Sequence, residues 1–564
     1  MNNSQKRRLS IVLVAMVVVT LIIVARLVEF QIVHGPEWAE RASDELLVIA
    51  RPDRGTIYDR NEAVLAANSA DYQISVSPRL VTEPDKLATA LAPILEKPRH
   101  EILGILESNQ SFAMLEGRVE SEIADLIRTL PYDGIQIDPL PRRFFPQGDL
   151  LCHTLGYVDF EGQGGAGVEA FYQLELAGEA ASKTINISPL TQQDSVIARE
   201  GADLVLTIDR TIQHAVEQRL ALAIQEYQAQ SGSILVMDPH TGAILAMASA
   251  PCYDPFKFYE TDGELLFSPS YQEQHEPGSV MKLVTMAAAL DSGKFTPQST
   301  YYDAGVLEVG GHKTVNWDRS APGTTDMTTL LARSLNVGAA TLSTSLGSDL
   351  YYDYMQRFGF GRPTNIDLFA EASGQMPLPG DPLWTESMLA TNAYGQSIAV
   401  TPLQMLTAVS AIANGGVMMQ PYVVQEIHTE NGVIMHEPSI LGRPISPETA
   451  QQTTTMAITA VAREVPEAQI DGYTIAGKTG TAQIAENGIY HPTDTIASFI
   501  GWLPADDPEL LVYVKLDRPQ VAPWGSMTAA PTFARLAEEL VVLMDIPPDS
   551  IRLQADVLAA RQGD

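Results

Sequence analysis

Cysteine is nearly absent from this chain of 564 residues: there are two, Cys152 and Cys252. Neither belongs to a C-x-x-C pattern, so a zinc site built on thiolates lacks ligands. Small buried side chains are the expectation for both, and a disulfide between them stays open. Basic residues are scarce too. Lys and Arg number 36 against 69 Asp and Glu, for a net charge of -33. Such a surface repels phosphate backbones, which excludes nucleic acid as an expected partner. Low-complexity segments and short repeats are missing, since 40 Gly and 36 Pro are spread along the chain. What remains is a globular balance, 45% hydrophobic and 19% charged, with length for two to four domains.

Long apolar runs are missing as well, with one exception. Lys6, Arg7 and Arg8 precede Leu9 to Ala25, a stretch without charge whose polar members are Ser10 and Thr20. At about 17 residues it is at the short end for a spanning helix. Basic residues on its N-terminal side predict that this side is cytoplasmic. A cleaved signal peptide would have a shorter apolar core and an A-x-A site, whereas Arg26, Glu29 and Gln31 follow here. The expectation is a tail over 1–8, an uncleaved anchor over 9–28, and the rest of the chain outside the cytoplasm.

From 29 to 200 the pattern is irregular, with a strand-like run over Asp71 to Val76 and a helical one over Pro84 to Leu95. From 201 to 547 it becomes regular. Leu204 to Asp209 reads as a strand and Thr211 to Gln230 as an amphipathic helix, with Ile212, Val216, Leu220 and Ile224 at helical spacing. Ser233 to Asp238 and Ala243 to Ala248 read as strands around a turn at Pro239 to Gly242. A helix follows over Gln404 to Asn414, and late strands over Thr474 to Ala476, Ile496 to Trp502 and Leu510 to Leu516. Strands at both ends with helices between predict a mixed α/β domain whose sheet is closed by sequence-distant strands. The tail 548–564 has helical character and no evident chemistry.

Three short segments carry chemistry. In Glu276-Pro-Gly-Ser-Val-Met-Lys282, Pro277 and Gly278 break the chain, and a helix is expected from Ser279 to about Ser292. It is apolar on nearly all sides, so it should be buried with Lys282 as its sole charge. Ser279 and Lys282, three residues apart, share a face. A buried amine loses its proton readily and can act as a base toward the serine. Alone, this pattern also fits a serine cap beside a snorkelling lysine. Ser334-Leu-Asn336, in a segment read as helical, can offer a hydroxyl and an amide to the same pocket. Gly477-Lys-Thr-Gly-Thr481 follows a strand, and a glycine within a strand lets another backbone come close. Lys478, Thr479 and Thr481 supply a cation and hydroxyls suited to a carboxylate.

Together and in this order, the three segments are the signature of penicillin-binding proteins and class A β-lactamases. The chain resembles a class B penicillin-binding protein, a peptidoglycan D,D-transpeptidase, over nearly its whole length. Arg54 to Arg60, Arg143 to Pro146, His153 to Val158 and Gly164 to Glu169 resemble the family's pedestal motifs. Gly395-Gln396, Thr401 to Gln404 and Ala497 to Gly501 resemble its transpeptidase segments. Ser397 stands where the family commonly has glycine, and Glu62 likewise. Glu276 before Pro-Gly-Ser resembles division-type members.

The resemblance implies an α/β fold: a serine transpeptidase domain over 201–547 with a central antiparallel sheet flanked by helices, an elongated α+β pedestal over 29–200, and one N-terminal transmembrane helix. It implies Ser279 as nucleophile, Lys282 as its base, and Ser334 as proton relay with support from Lys478. Asn336, Thr479, Gly480 and Thr481 would bind the substrate, and the N–H groups of Ser279 and Thr481 would form the oxyanion hole. Expected partners are D-Ala-D-Ala stem peptides, β-lactams, a SEDS-type glycosyltransferase and divisome membrane proteins. No metal and no organic cofactor is expected. Open alternatives are an elongation-type enzyme, a carboxypeptidase or β-lactamase-like hydrolase, and a non-catalytic scaffold.

Overall fold

The structure is a computed structural model that describes residues 3–29, 32, 46–50, 52–185, 198–486 and 489–554. The chain divides into two compact units, 1–53 with 177–201, and 54–176 with 202–564.

The first unit holds a helix over Asn3–Val28 and an antiparallel pair, Leu46–Ala50 with Ala181–Ile185. From Leu13 to Val28 its side chains are exposed. Among the described residues no helix is long and apolar enough to cross a membrane. The side chains of the first four residues of the expected anchor, 9–12, lie outside the described ones.

The second unit is built around a five-stranded sheet of β1 (Ser231–Met237), β2 (Ile244–Ala250), β3 (Ala476–Glu486), β4 (Ile489–Leu503) and β5 (Leu510–Asp517). Its order is β3-β4-β5-β1-β2, antiparallel throughout. The expected joining of early and late strands is the seam between β5 and β1. Alternate residues along each strand face opposite ways. Ile234, Val236, Val512 and Val514 pack with α1 (Arg210–Tyr227) and the C-terminal helix Ala529–Leu543. Leu235, Met237, Ile500 and Tyr513 belong to the opposite core, with α2 (Met281–Asp291) and α5 (Pro402–Ala413). Between those two helices come α3 (Met327–Ala332) and α4 (Asn336–Leu346).

All twelve residues of α5 are buried, as a helix apolar on every side must be. Its start is a capping box: Thr401 Oγ1 accepts from the Gln404 N–H, and Gln404 Oε1 accepts from the Thr401 N–H. The amide of Gln404 then donates to Arg362 O and Ser373 O, so one side chain ties the cap to two loops.

The segment read as irregular carries a sheet of its own. A strand over Val64–Val76 pairs with Ala113–Val119 on one side and Ile135–Phe144 on the other. Helices Pro84–Ile94, Arg99–Leu106 and Ser121–Arg128 supply the buried Leu87, Leu91, Ile102 and Ile127 of its core. Through Ile57–Tyr58, which runs parallel to Asp203–Leu206, this sheet continues into the regular part of the chain. The motif residues Arg54, Arg143 and Glu169 meet in one buried centre. Glu169 receives Arg143 Nε at 2.6 Å on one oxygen and Arg54 Nη2 at 2.6 Å on the other.

The expectation for the cysteines needs correction. Cys152 and Cys252 are joined in a disulfide, with Cα atoms 6.2 Å apart. It links the short helix Cys152–Leu155 to the loop after β2. Two cysteines a hundred residues apart carry no local sign of pairing, which is why the sequence left the question open.

Candidate active site

Ser279 lies in a single 3₁₀ turn, Gly278–Val280, that runs straight into α2. The helix therefore begins two residues later than expected and ends at Asp291, with Gly293 just beyond at φ +71°. Gly278 has φ +58°, and a Cβ there would come 3.0 Å from Thr481 O on β3. Behind the turn, Gly395 at φ +81° leaves no room either: its Cβ would lie 2.1 Å from Gly278 O. Two glycines thus let the serine's turn fit between the edge strand and the 395 loop.

Lys282 is 1% exposed. Its Nζ lies 3.1 Å from Ser279 Oγ, 3.0 Å from Ser334 Oγ, 2.6 Å from Ser334 O and 2.6 Å from Asn336 Oδ1. No carboxylate approaches it among the described residues. Burial pushes its pKa well below that of an ordinary lysine, and the neighbouring Lys478 cation pushes the same way. A neutral amine has two hydrogens and one lone pair. The Ser334 carbonyl and the Asn336 amide oxygen accept only, so they take the two hydrogens. The lone pair is left for a hydroxyl, and Ser279 Oγ is within reach.

Ser334 does not sit inside a helix, as the sequence suggested. It stands between α3 and α4 with φ +57°, where its hydroxyl and its carbonyl both turn toward Lys282. The next residue but one, Asn336, opens α4 and anchors its Nδ2 on Val315 O at 3.1 Å. Trp317 Nε1 braces the bend from outside by donating to Arg333 O at 3.0 Å.

Lys478, Thr479, Gly480 and Thr481 lie within β3 itself, which continues past Ala476, where the sequence reading ended the strand. Lys478 is 3% exposed, and burial lowers its pKa to about 7. Its Nζ donates to Thr479 O at 3.1 Å. A Cβ on Gly480 would lie 2.2 Å from Ser498 Oγ and 2.9 Å from Val280 Cγ2, so the strand meets the serine's turn there. Thr481 Oγ1 accepts the N–H of Gly525 at 3.1 Å.

Some neighbours of the site had no assigned role in the sequence. The Glu276 carboxylate accepts the Ser397 N–H at 2.8 Å and the Tyr490 hydroxyl at 3.0 Å. Burial raises its pKa against those two bonds. Glu276 and Ser397 stood out only as points of likeness and departure, and Tyr490 and Gly525 gave no signal.

A hydroxyl beside a neutral buried amine, with a second hydroxyl and a further lysine close by, is built for acyl transfer through serine. The description "Penicillin binding protein transpeptidase domain" matches residues 232–538, and "Penicillin-binding Protein dimerisation domain" matches 49–206. The chain belongs to the penicillin-binding protein transpeptidase family. It is similar to stage V sporulation protein D of Bacillus subtilis (strain 168), 33% identical over 97% of this chain and 87% of that protein. Penicillin-binding protein PbpB of Mycolicibacterium smegmatis is 32% identical over 79% of this chain and 72% of its own length. Among solved structures, penicillin binding protein 2X of Streptococcus thermophilus superposes with TM-score 0.75 at 25% identity, covering 88% of this chain and 80% of that one. Penicillin binding protein 3 of Mycobacterium tuberculosis, complexed with aztreonam, gives 0.69 at 26% identity, covering 89% and 98%.

Proposed function

We propose that this transpeptidase cross-links peptidoglycan stem peptides through an acyl-enzyme on Ser279, outside the cytoplasmic membrane and during septal division. The observation that carries the mechanism is the set of contacts around Lys282 Nζ, which has hydroxyl, carbonyl and amide oxygens but no counter-ion among the described residues. Ser279 Oγ attacks the carbonyl carbon of the penultimate D-Ala while Lys282 takes its proton. The C–N bond to the terminal D-Ala breaks, and the leaving amine receives a proton through Ser334, with Lys478 behind it. An amine of a second stem peptide then attacks the ester, and Ser279 regains its proton. Asn336 holds the peptide, and Thr479 and Thr481 hold the terminal carboxylate. Gly480 gives the strand room, and the N–H groups of Ser279 and Thr481 receive the oxyanion. A β-lactam acylates the same oxygen by opening its ring.

The anchor reading is supported by Lys6, Arg7 and Arg8 ahead of the apolar run, in a helix whose apolar side chains face outward, Leu13, Val17 and Val24 among them. Thr20 returns its hydroxyl to Met16 O at 2.8 Å, which satisfies the polar group within the helix. The disulfide suits an oxidising compartment. A SEDS-type glycosyltransferase and divisome membrane proteins are the partners such an anchor would meet.

The test is intact-mass analysis after exposure to benzylpenicillin. One adduct on the native chain and none on Ser279→Ala supports the reading. An unmodified native chain leaves a non-catalytic scaffold in its place.

A further inference from the structure

Ser279 and Lys478 arrive at the site from distant parts of the chain, and the gap between them must be set by something. The lead-in to the nucleophile is tied by backbone bonds to the loop 395–400. His275 and Val400 exchange N–H···O bonds of 2.9 Å, and the Gly278 N–H donates to Gly395 O at 3.0 Å. That loop is not a strand of the catalytic sheet. The two residues that open the serine's segment, His275 and Glu276, do reach the sheet through their side chains. Glu276 meets Tyr490 near the hairpin end of β4. His275 meets Tyr513 in the buried middle: Nε2 lies 3.0 Å from the hydroxyl, with the rings stacked 6.3 Å apart.

Tyr513 has a particular address. It stands opposite Ile500 on β4, and Ile500 stands opposite Lys478 on β3. Tyr513 and Lys478 therefore share one cross-strand row on one face of the sheet. The neighbouring row on that face runs Gly480, Ser498, Lys515, Ser233 and Ser249. In that row the Ser498 hydroxyl fills the place a side chain at Gly480 would need. At the far end, Ser249 Oγ lies 2.7 Å from Ser270 Oγ, which holds the start of the lead-in. His275 is 7% exposed, and its Nδ1 is buried with no hydrogen-bond partner among the described residues. Among the described residues its single polar side-chain contact is the Tyr513 hydroxyl.

We infer that His275 and Tyr513 are positioning residues for acylation: their hydrogen bond sets the spacing between the turn of Ser279 and the strand row of Lys478. The inference rests on the roles proposed above for those two residues.

The experiment compares Tyr513→Phe, His275→Phe and the double variant. Acylation by a fluorescent penicillin is resolved into an affinity and a rate of the covalent step, and melting temperature is measured beside it. Removing one partner leaves a buried polar group unpaired and lowers stability, whereas replacing both by apolar rings restores most of it. The inference expects the covalent step to slow about tenfold to a hundredfold in each single variant and to stay slow in the double, with affinity changing less. A double variant that recovers acylation along with its melting temperature makes the pair structural only and overturns the inference. Ser231→Ala, which loses a contact to Asp517 at the start of β1, controls for general loosening of the sheet. It should lower the melting temperature without slowing acylation, and equal slowing there also overturns the inference. A native chain that forms no adduct, or a Ser279→Ala chain that keeps one, overturns the acyl-enzyme reading and the inference with it.

Discussion

Two buried charge centres in this molecule are built on opposite principles. In the pedestal, Glu169 is fully buried and receives Arg143 on one oxygen and Arg54 on the other. In the catalytic site, Lys282 on α2 is equally buried and receives no counter-charge among the described residues, with a second lysine for a neighbour. A paired centre keeps its charges and resists change, because removing one partner strands the other in a dry place. An unpaired centre gives up its charge and keeps a reactive lone pair. The same burial yields a structural staple in one place and, in the proposed mechanism, a base in the other.

Lys282→Met strikes at the reactive side of this contrast. It should reduce the rate of penicillin acylation by about 10²–10⁴-fold, the range for a lost general base. Its melting temperature should hold or rise, since an amine that is costly to bury becomes an apolar side chain of similar length. A variant that melts lower and acylates normally would falsify the assignment of Lys282 as an unpaired base.

Glu169→Ala makes the converse change. It leaves Arg143, which burial already pushes below the ordinary guanidinium pKa, without its partner. A loss of about 3–5 kcal/mol is expected in chemical denaturation. Acylation per folded molecule should remain as in the native chain. The disulfide belongs to the same structural side. Cys152→Ser with Cys252→Ser opens a loop of 100 residues, for which chain entropy gives at most about 4.7 kcal/mol, and a loss of about 2–4 kcal/mol is expected. Denaturation with and without reductant checks it: the native chain should fall to the level of the double variant, which should not respond.

What could be read from the sequence follows the range of each interaction. Ser279 and Lys282 are one turn apart, so local spacing and the apolar surroundings exposed their relation. The break at Ser334 was hidden because nothing in Arg333-Ser-Leu demands a left-handed residue; the conformation is imposed by Lys282 drawing both of its oxygens. Reading β3 as ending at Ala476 follows from Gly477 and Gly480, poor strand formers retained because the serine's turn packs against them. The pedestal strand was read from Asp71 only, although it starts at Val64, because Asn68 and Ser69 interrupt the apolar pattern. Asn68 is there for another purpose, since its amide bonds Arg54 O and Arg143. The pairing of His275 with Tyr513 spans 238 residues and leaves no trace in sequence at all.

A further expected effect concerns the second lysine of the reactive centre. Burial lowers the pKa of Lys478 to about 7, while its unfolded value is that of an ordinary lysine. Between these values the unfolded chain binds a proton that the folded chain does not. Folding stability should therefore rise with pH from about 7 toward 10.5, and the penalty of burying this cation is complete below 7. Activity should run the other way. A neutral Lys478 no longer offers a cation to the carboxylate of a penicillin, so the second-order acylation constant should fall above pH 7, by about tenfold per unit. Because that constant reports the free enzyme, its alkaline limb reads the lysine before the ligand's own charge acts on it. Lys478→Arg keeps its charge throughout and should move the limb upward without moving the acid limb, which belongs to Lys282. A limb that stays in place in the arginine variant would mean that the two lysines are not divided in this way, one neutral as base and one charged as anchor.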